Sequence, residues 1–282
     1  MIAVLGATGT IGAQVARQLA DAGAEARALV RDPDSFALDL PAVKVDLLDA
    51  ESTRAALEGA TTVFLLTVQG PQQALMERNA LEAALAAGAE RIVKISGSGP
   101  SLGPNGASPT AATHWRSERA IEASGLGFQF LRPSFLMQNL LDMKPVGPFL
   151  AAPMGHAQIA MVDARDVAAC AVALLREDNP TSAAWHLTGP AGVTFDDAAR
   201  LMGARYLNVP ARVAGAALRR RGASPFEVDH ALRMSKFFAS GADGAATDDV
   251  LRITGKRPRS LEEFFQDPHQ FDTNVNERQF AK

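Results

Sequence analysis

The residues with the clearest chemical capacity stand at the front of the chain. In Gly6-Ala7-Thr8-Gly9-Thr10-Ile11-Gly12, three glycines follow an apolar run at Ile2–Leu5 and open a segment of helical spacing. Glycine at the first position lets a chain turn sharply out of a strand. At the second it removes a Cβ, so backbone can approach a pyrophosphate; at the third it lets the helix pack close to the sheet. The N–H groups and the positive dipole end of the helix that begins at Thr10 then favour phosphate oxygens. Gly6, Thr8, Gly9, Thr10, Ile11 and Gly12 are thus expected to hold a dinucleotide, the alternative being a tight turn with no ligand.

Two later positions bear on which dinucleotide. The second apolar run ends Leu29-Val30 and is followed by Arg31 and Asp32. A guanidinium at this point can pair a ribose 2′-phosphate bidentately and stack on adenine, whereas Asp32 would serve a free ribose hydroxyl. The pair favours NADP (NADPH) over NAD; an exposed Arg-Asp-Pro-Asp turn is the other reading. In Val45-Asp46-Leu47 the carboxylate can accept from the adenine amino group or close a turn.

These residues need a sheet to position them, and the pattern supplies one. Short apolar runs at 2–5, 26–30, 43–45, 62–66, 91–95 and 128–131 alternate with helical segments at 10–22, 50–57, 72–87 and 109–124. Strand-helix alternation implies parallel strands, and apolar runs without polar alternation imply a sheet covered on both faces. The fold class is α/β, a Rossmann doubly wound parallel sheet with helices on both faces. Strands at 159–162 and 184–187, a helix from the N-cap Asp163 to about Arg176, and helices at 195–202, 210–220 and 229–238 follow. We expect a single domain over 1–282: a Rossmann core at 1–133, mixed core and a small C-terminal substrate lobe at 134–265, and a polar tail at 266–282 that is either poorly ordered or packs on a neighbouring copy as a homodimer.

Composition excludes several function classes. The net charge of -3 gives no electrostatic case for nucleic acid. No apolar run approaches the ~20 residues of a membrane span, and the start of the chain reads as a strand, not a signal peptide. The five histidines are scattered and the one cysteine, Cys170, sits in an apolar run, so neither metal-ligand spacing nor a disulfide framework exists. A cytoplasmic location is expected.

The glycine loop, Val30-Arg31-Asp32-Pro33 and Val45-Asp46-Leu47 together resemble the atypical, NmrA-like branch of the short-chain dehydrogenase/reductases. Leu131-Arg132-Pro133 with Asn139, Ile253-Thr254-Gly255-Lys256-Arg257-Pro258 and Ser260-Leu261-Glu262-Glu263-Phe264 extend the likeness to about residues 1–265. That branch includes NADPH-dependent quinone oxidoreductases, triphenylmethane dye reductases and redox-sensing regulators. The resemblance implies that the nucleotide site also uses Thr67, Val68, Ser96 and Pro133, and Leu47 is expected there beside Asp46.

It also exposes a departure. Most of the superfamily uses a Tyr acid and a Lys four residues later; here the one tyrosine is Tyr206 and residue 210 is Pro. The segment in that place reads His114-Trp115-Arg116-Ser117-Glu118. His114 is expected either to donate a proton or contact substrate, having an unperturbed pKa near 6.5, or to be a helix-start histidine held by Glu118. Ser98 lies where the superfamily often keeps a serine on the substrate oxygen, or it is a turn residue. Without a strong acid, a simple ketone is a poor substrate, because its alkoxide needs protonation. A conjugated acceptor spreads or cancels the new charge and can rely mainly on proximity. Trp115, Phe135, Met137, Phe149, Met154, Phe237 and Phe238 fall where they could line a flat apolar pocket, with the loop 97–108 as a lid. The leading expectation is NADPH-dependent reduction of a small apolar conjugated, quinone-like substrate. A non-catalytic NAD(P)-sensing regulator and a non-redox lyase, isomerase or cyclase are the alternatives.

Overall fold

A computed structural model describes residues 1–178 and 181–267. Its strands are β1 (Ile2–Leu5), β2 (Ala26–Val30), β3 (Ala42–Lys44), β4 (Thr62–Leu65), β5 (Arg91–Ile95), β6 (Gly127–Pro133), β7 (Phe149–Ala152), β8 (Ala183–Leu187) and β9 (Arg205–Asn208). Its helices are α1 (Thr10–Asp21), α2 (Ala50–Leu57), α3 (Gln73–Ala86), α4 (Pro109–Ala123), α5 (Ala164–Arg176), α6 (Phe195–Leu201), α7 (Ala211–Arg220), α8 (Pro225–Ala239), α9 (Asp249–Thr254) and α10 (Leu261–Gln266). Among the described residues, seven strands form one sheet in the order β3-β2-β1-β4-β5-β6-β8. Every pairing in it is parallel, as in Leu5↔Leu29, Leu65↔Lys94 and Ile95↔Leu131. The chain builds outward from β1 on one side, then returns to build from β4 on the other. That reversal opens a crevice at the carboxyl ends of β1 and β4, where this architecture takes its ligands.

Helices cover both faces, as the unbroken apolar runs require. On one face Val15 and Leu19 of α1 pack with Val167, Cys170 and Leu174 of α5 against Val4, Phe64 and Val93. On the other, Ala56 and Leu57 of α2, Ala80 and Ala84 of α3 and Ile121 of α4 pack against Leu5, Val63 and Ile92. Burying each Val, Leu or Ile here contributes about 1.5–3 kcal/mol. Cys170 is fully buried, and burial pushes its thiol up to about 12, so it is an inert core residue. Helix starts follow the side chains that cap them: Asp49 accepts from the amides of Glu51 and Ser52 at α2, and Ser108 from that of Ala111 at α4.

A third apolar cluster, with Phe135, Met154, Phe195, Phe238 and Phe264 among its members, joins the end of β6 to the later elements. Here the structure departs from the sequence reading. Residues 159–162 are not a strand; their amides go singly to Val193, Asp243, Ile159 and Phe135, because this buried stretch threads between segments instead of along an edge. The unforeseen β7 and β9, of four residues each, pair with each other. Helix α8 starts at Pro225, not 229, because Ser224 and Glu227 form a reciprocal capping box. Apart from Gln266 and Asp267, the polar tail and its expected contact with a neighbour lie outside the described residues.

Candidate functional site

The glycine loop divides its work by position. Gly6 has φ +75°, and a Cβ there would lie 2.5 Å from the carbonyl oxygen of Leu66. A Cβ on Gly12 would lie 1.9 Å from the carbonyl oxygen of Gly6. These two glycines are therefore required by the fold itself. Gly9 is different: a Cβ there would meet only the Gly6 oxygen, at an ordinary 3.5 Å, so the protein leaves this space clear. Helix α1 begins just beyond, with no side-chain cap and no acidic residue in its first turn, so its first N–H groups stay open to an anion. Further in, Ser96 Oγ is buried without a hydrogen-bond partner. A cleared cradle, an open helix terminus and an orphaned hydroxyl on one edge suit a dinucleotide.

Beyond the loop lies a cavity of about 450 Å³ at the carboxyl ends of β4, β5 and β6. Ile11, Thr67, Ser96 and Pro133, which the sequence placed in the nucleotide site, line its floor together with Ser98 and His114. Phe135, Met143, Met154, Met234 and Phe238 form an apolar wall. Of the expected pocket residues, Phe135, Met154 and Phe238 take part. Trp115, Met137, Phe149 and Phe237 do not: Met137 is fully buried in the lobe core, and Phe149 is on the surface. Val68 is 72% exposed and outside the cavity wall. Arg31, exposed, follows β2, and Asp46 with half-buried Leu47 follows β3, on the other side of the loop from the cavity. Asp46 Oδ1 accepts from the Leu48 amide at 3.0 Å, closing the turn foreseen as its alternative role. The loop at 97–108 contributes Ser98, Ser101 and Ser108 to the cavity and is tied back by the Ala107 amide on the Ser101 carbonyl.

His114 is not held by Glu118. Both oxygens of that carboxylate accept from Arg132, at 3.0 and 2.6 Å. His114 instead closes a buried cluster that the sequence reading missed. Lys94, fully buried on β5, donates to Glu77 Oε1 of α3 at 2.7 Å. The same oxygen accepts from Thr67 Oγ1 at 3.0 Å and from Gln73 Nε2 at 3.3 Å. Lys94 Nζ also lies 3.2 Å from His114 Nδ1. Burial, then the Lys94 ammonium, hold His114 down to about 3, so its ring is neutral at neutral pH. Burial alone would raise Glu77; Lys94 and His114 beside it outweigh burial and bring it to about 2.

A second buried cluster backs the opposite wall. Ser98 Oγ and Ser134 Oγ each donate at 2.7 Å, one to each oxygen of the Asp243 carboxylate. His186 Nε2 stands 3.0 Å from Oδ1 of the same group, without the alignment of a hydrogen bond. An ionised carboxylate only accepts, so both hydroxyl protons are committed to it and the serines turn lone pairs elsewhere. Nothing in the Gly-Ala-Asp-Gly segment around residue 243 marks it as part of a site. Lys94 did carry a signal: a charge between Val93 and Ile95, within the apolar part of a parallel strand.

A family model described as NAD(P)H-binding matches residues 6–178, more than half of the chain. The chain belongs to this NAD(P)H-binding family. The NAD(P)H azoreductase of Xenophilus azovorans is 31% identical over 284 residues, covering 94% of this chain and 96% of that one. The (4-alkanoyl-5-oxo-2,5-dihydrofuran-3-yl)methyl phosphate reductase of Streptomyces griseus is 32% identical over 277 residues, with the same coverage of 94% and 96%. The crystal structure of an Escherichia coli NADPH-dependent quinone oxidoreductase with NADPH shares the fold, with a TM-score of 0.85, 24% identity and 96% and 100% of the two chains covered. The family match begins at Gly6, the first residue of the loop, and takes in Thr67, Ser96, His114 and Pro133. It ends before the cavity-lining lobe residues Met234 and Phe238, and before Asp243.

Among the described residues no helix is long and apolar enough to cross a membrane, and no group of His, Cys, Asp and Glu could hold a metal ion.

Proposed function

We propose that this protein is an NADPH-dependent reductase of small, apolar, conjugated acceptors of the quinone or azo-dye kind. The observation that carries the reading is the mixed cavity at the end of the glycine loop. Its floor carries Ile11, Thr67, Ser96 and Pro133, expected at the inner end of the nucleotide site, and its wall is Phe135, Met143, Met154, Met234 and Phe238. When bound, the reduced nicotinamide supplies a hydride to the acceptor. The chain does the rest. The loop and the start of α1 hold the phosphates, with Asp46 and Leu47 beside the adenine and Arg31 at the 2′-phosphate favouring NADP. Ile11, Thr67, Val68, Ser96 and Pro133 seat the inner half. The apolar wall excludes water and stacks a flat substrate against the ring.

The polar groups sort the substrate further. His114 offers an N–H to a lone-pair-bearing atom of the acceptor, and Ser98 and Ser134, whose protons go to Asp243, accept from an N–H or O–H on the substrate. An aromatic acceptor with an amino or hydroxyl substituent fits both walls. The single buried cysteine suits a reducing, cytoplasmic setting.

The test is turnover of NADPH by the purified protein against a panel of quinones, azo dyes and simple ketones. Accelerated NADPH oxidation with the conjugated acceptors and none with ketones is the expected pattern. No acceleration with any acceptor refutes the reading and leaves a nucleotide sensor or a non-redox lyase, isomerase or cyclase.

A further inference from the structure

The imidazole of His114 forms part of the cavity wall, but its proton is placed from behind. Lys94 Nζ, which can only donate, lies 3.2 Å from Nδ1. The Gln73 amide nitrogen, also a donor, lies 3.3 Å from Nε2 and 3.3 Å from Glu77 Oε1. A neutral imidazole has one bare nitrogen and one N–H, so it can satisfy only one of these two donors. The Lys94 contact is the shorter, and bonds from an ionised donor are about twice as strong as neutral ones. Glu77 Oε1, at 3.6 Å from Nδ1, is beyond hydrogen-bond distance of it, so Nδ1 accepts from Lys94 and the ring proton sits on Nε2. Turning the Gln73 amide would bring its oxygen to that N–H but would set it against the ionised oxygen of Glu77. The amide keeps its bond to Glu77 at the cost of leaving its own buried oxygen without a partner. The Nε2–H thus has no acceptor within the cluster. The ring edge that carries it faces cavity-lining Gly97, where a Cβ would meet His114 Cδ2 at 3.4 Å.

We infer that Lys94, anchored by Glu77, is a positioning residue that fixes His114 as its Nε2–H tautomer and so aims a neutral N–H at the acceptor atom of the substrate. The identity of that substrate rests on the reductase reading; the tautomer does not. A neutral donor of this kind stabilises an oxygen or nitrogen as it gains electron density, without first having to be charged by solvent. The lysine in this protein thus acts on the histidine from a strand, not on a tyrosine from the same helix.

Side-chain ¹⁵N NMR of the ligand-free full chain at pH 7 tests this directly. The expected spectrum shows His114 neutral, with a bare Nδ1 and a protonated Nε2. An Nδ1–H tautomer or an imidazolium overturns the inference. The paired variant Lys94→Met with Glu77→Gln removes both charges together, avoiding an uncompensated buried ion. In it neither an ammonium nor an ionised carboxylate orients the ring or the Gln73 amide, and the ring is expected to lose its single Nε2–H form and show a mixture of the two neutral tautomers. With a quinone acceptor, kcat falls about 10-fold and KM changes less than about twofold. Lys94→Arg, which still donates, keeps the Nε2–H form and most of kcat. Retention of both the Nε2–H signal and full kcat in the paired variant also overturns the inference. If the paired variant does not fold, the wild-type and Lys94→Arg spectra decide. If no acceptor is turned over at all, the reductase reading falls while the NMR result still stands or falls alone.

Discussion

The two ends of the site are built on opposite principles. At the phosphate end, everything needed lies within seven residues: Gly6 turns, Gly9 clears space and Gly12 admits the helix. At the cavity end, the groups that set the chemistry come from distant segments. Ser98 meets Asp243 across 145 positions and Ser134 meets it across 109, while Lys94 reaches Glu77 across 17 and His114 across 20. On the proposed reading, a cofactor common to many reactions is held by a local backbone device, and the substrate is met by side chains that only the finished sheet and lobe bring together.

The glycines offer the sharpest way to break this contrast. Gly12→Ala places a methyl 1.9 Å from a backbone carbonyl that cannot withdraw without opening the loop. Stability should fall by about 3 kcal/mol, at the top of the range for overpacking, and NADPH binding should vanish with it. Gly9→Ala meets no such contact and should leave the melting temperature almost unchanged while weakening NADPH at least 10-fold. Thermal melts and nucleotide titrations of the pair separate a glycine required by the fold from one required by a ligand. Equal loss of stability in both would erase the distinction.

The buried cluster under the cavity should show itself as acid sensitivity. His114 titrates near 6.5 when unfolded but at about 3 when folded, so the unfolded chain binds its proton first. Its contribution to stability is complete above pH 6.5 and drains away as the pH falls towards 3. Glu77, lowered from 4.5 to about 2, adds a contribution present above 4.5 and lost as pH falls through 2. Stability measured in urea should therefore decline from pH 7 to pH 4 by on the order of a few kcal/mol. His114→Phe should flatten the part of that decline between pH 6.5 and 4.5. An unchanged slope would mean that His114 is not held neutral by its surroundings.

The same contrast explains what could be read from the chain alone. The sheet, the loop and the helix boundaries up to Ala123 follow from apolar periodicity, glycine and capping residues, all of which are local signals. Thr67, Ser96 and Pro133, proposed for the inner nucleotide site, were legible only through resemblance, since each is an ordinary residue whose proposed role comes from standing at a strand's carboxyl end. His114 was visible as a titratable group on a helix. Its partner was misread, because Glu118 is close in sequence while Lys94 is close in space. Asp243 had no signal at all: its meaning lies entirely in the two serines and the histidine that converge on it.

Asp243 gives a test of intermediate size. Asp243→Asn keeps one acceptor oxygen for one serine and offers the other an N–H in place of a lone pair. The exchange forfeits a charge-assisted bond and should cost about 1–3 kcal/mol of stability. It also frees one of Ser98 or Ser134 to donate into the cavity. Acceptors bearing an amino or hydroxyl group should lose about 5- to 10-fold in kcat/KM relative to those lacking one. No change in that ratio would show that these serines do not meet the substrate.

The smallest effect tests whether even the local end of the site is complete as read. Arg31 is exposed at the end of β2, with Asp32 beside it. If its guanidinium pairs the 2′-phosphate, Arg31→Ala removes a charge-assisted contact from NADPH that NADH never had. Because the site is open to solvent, the loss belongs at the low end for such bonds, about 1.4 kcal/mol or 10-fold in Kd. It should shrink further as salt screens the pair. NADH affinity should stay within about twofold. The informative quantity is the ratio of the two dissociation constants at low and moderate ionic strength, since a general disturbance of the loop would weaken both nucleotides together and show no dependence on salt. A ratio unmoved by the substitution would assign nucleotide preference to Asp32 instead, and with it a ribose hydroxyl in place of a phosphate.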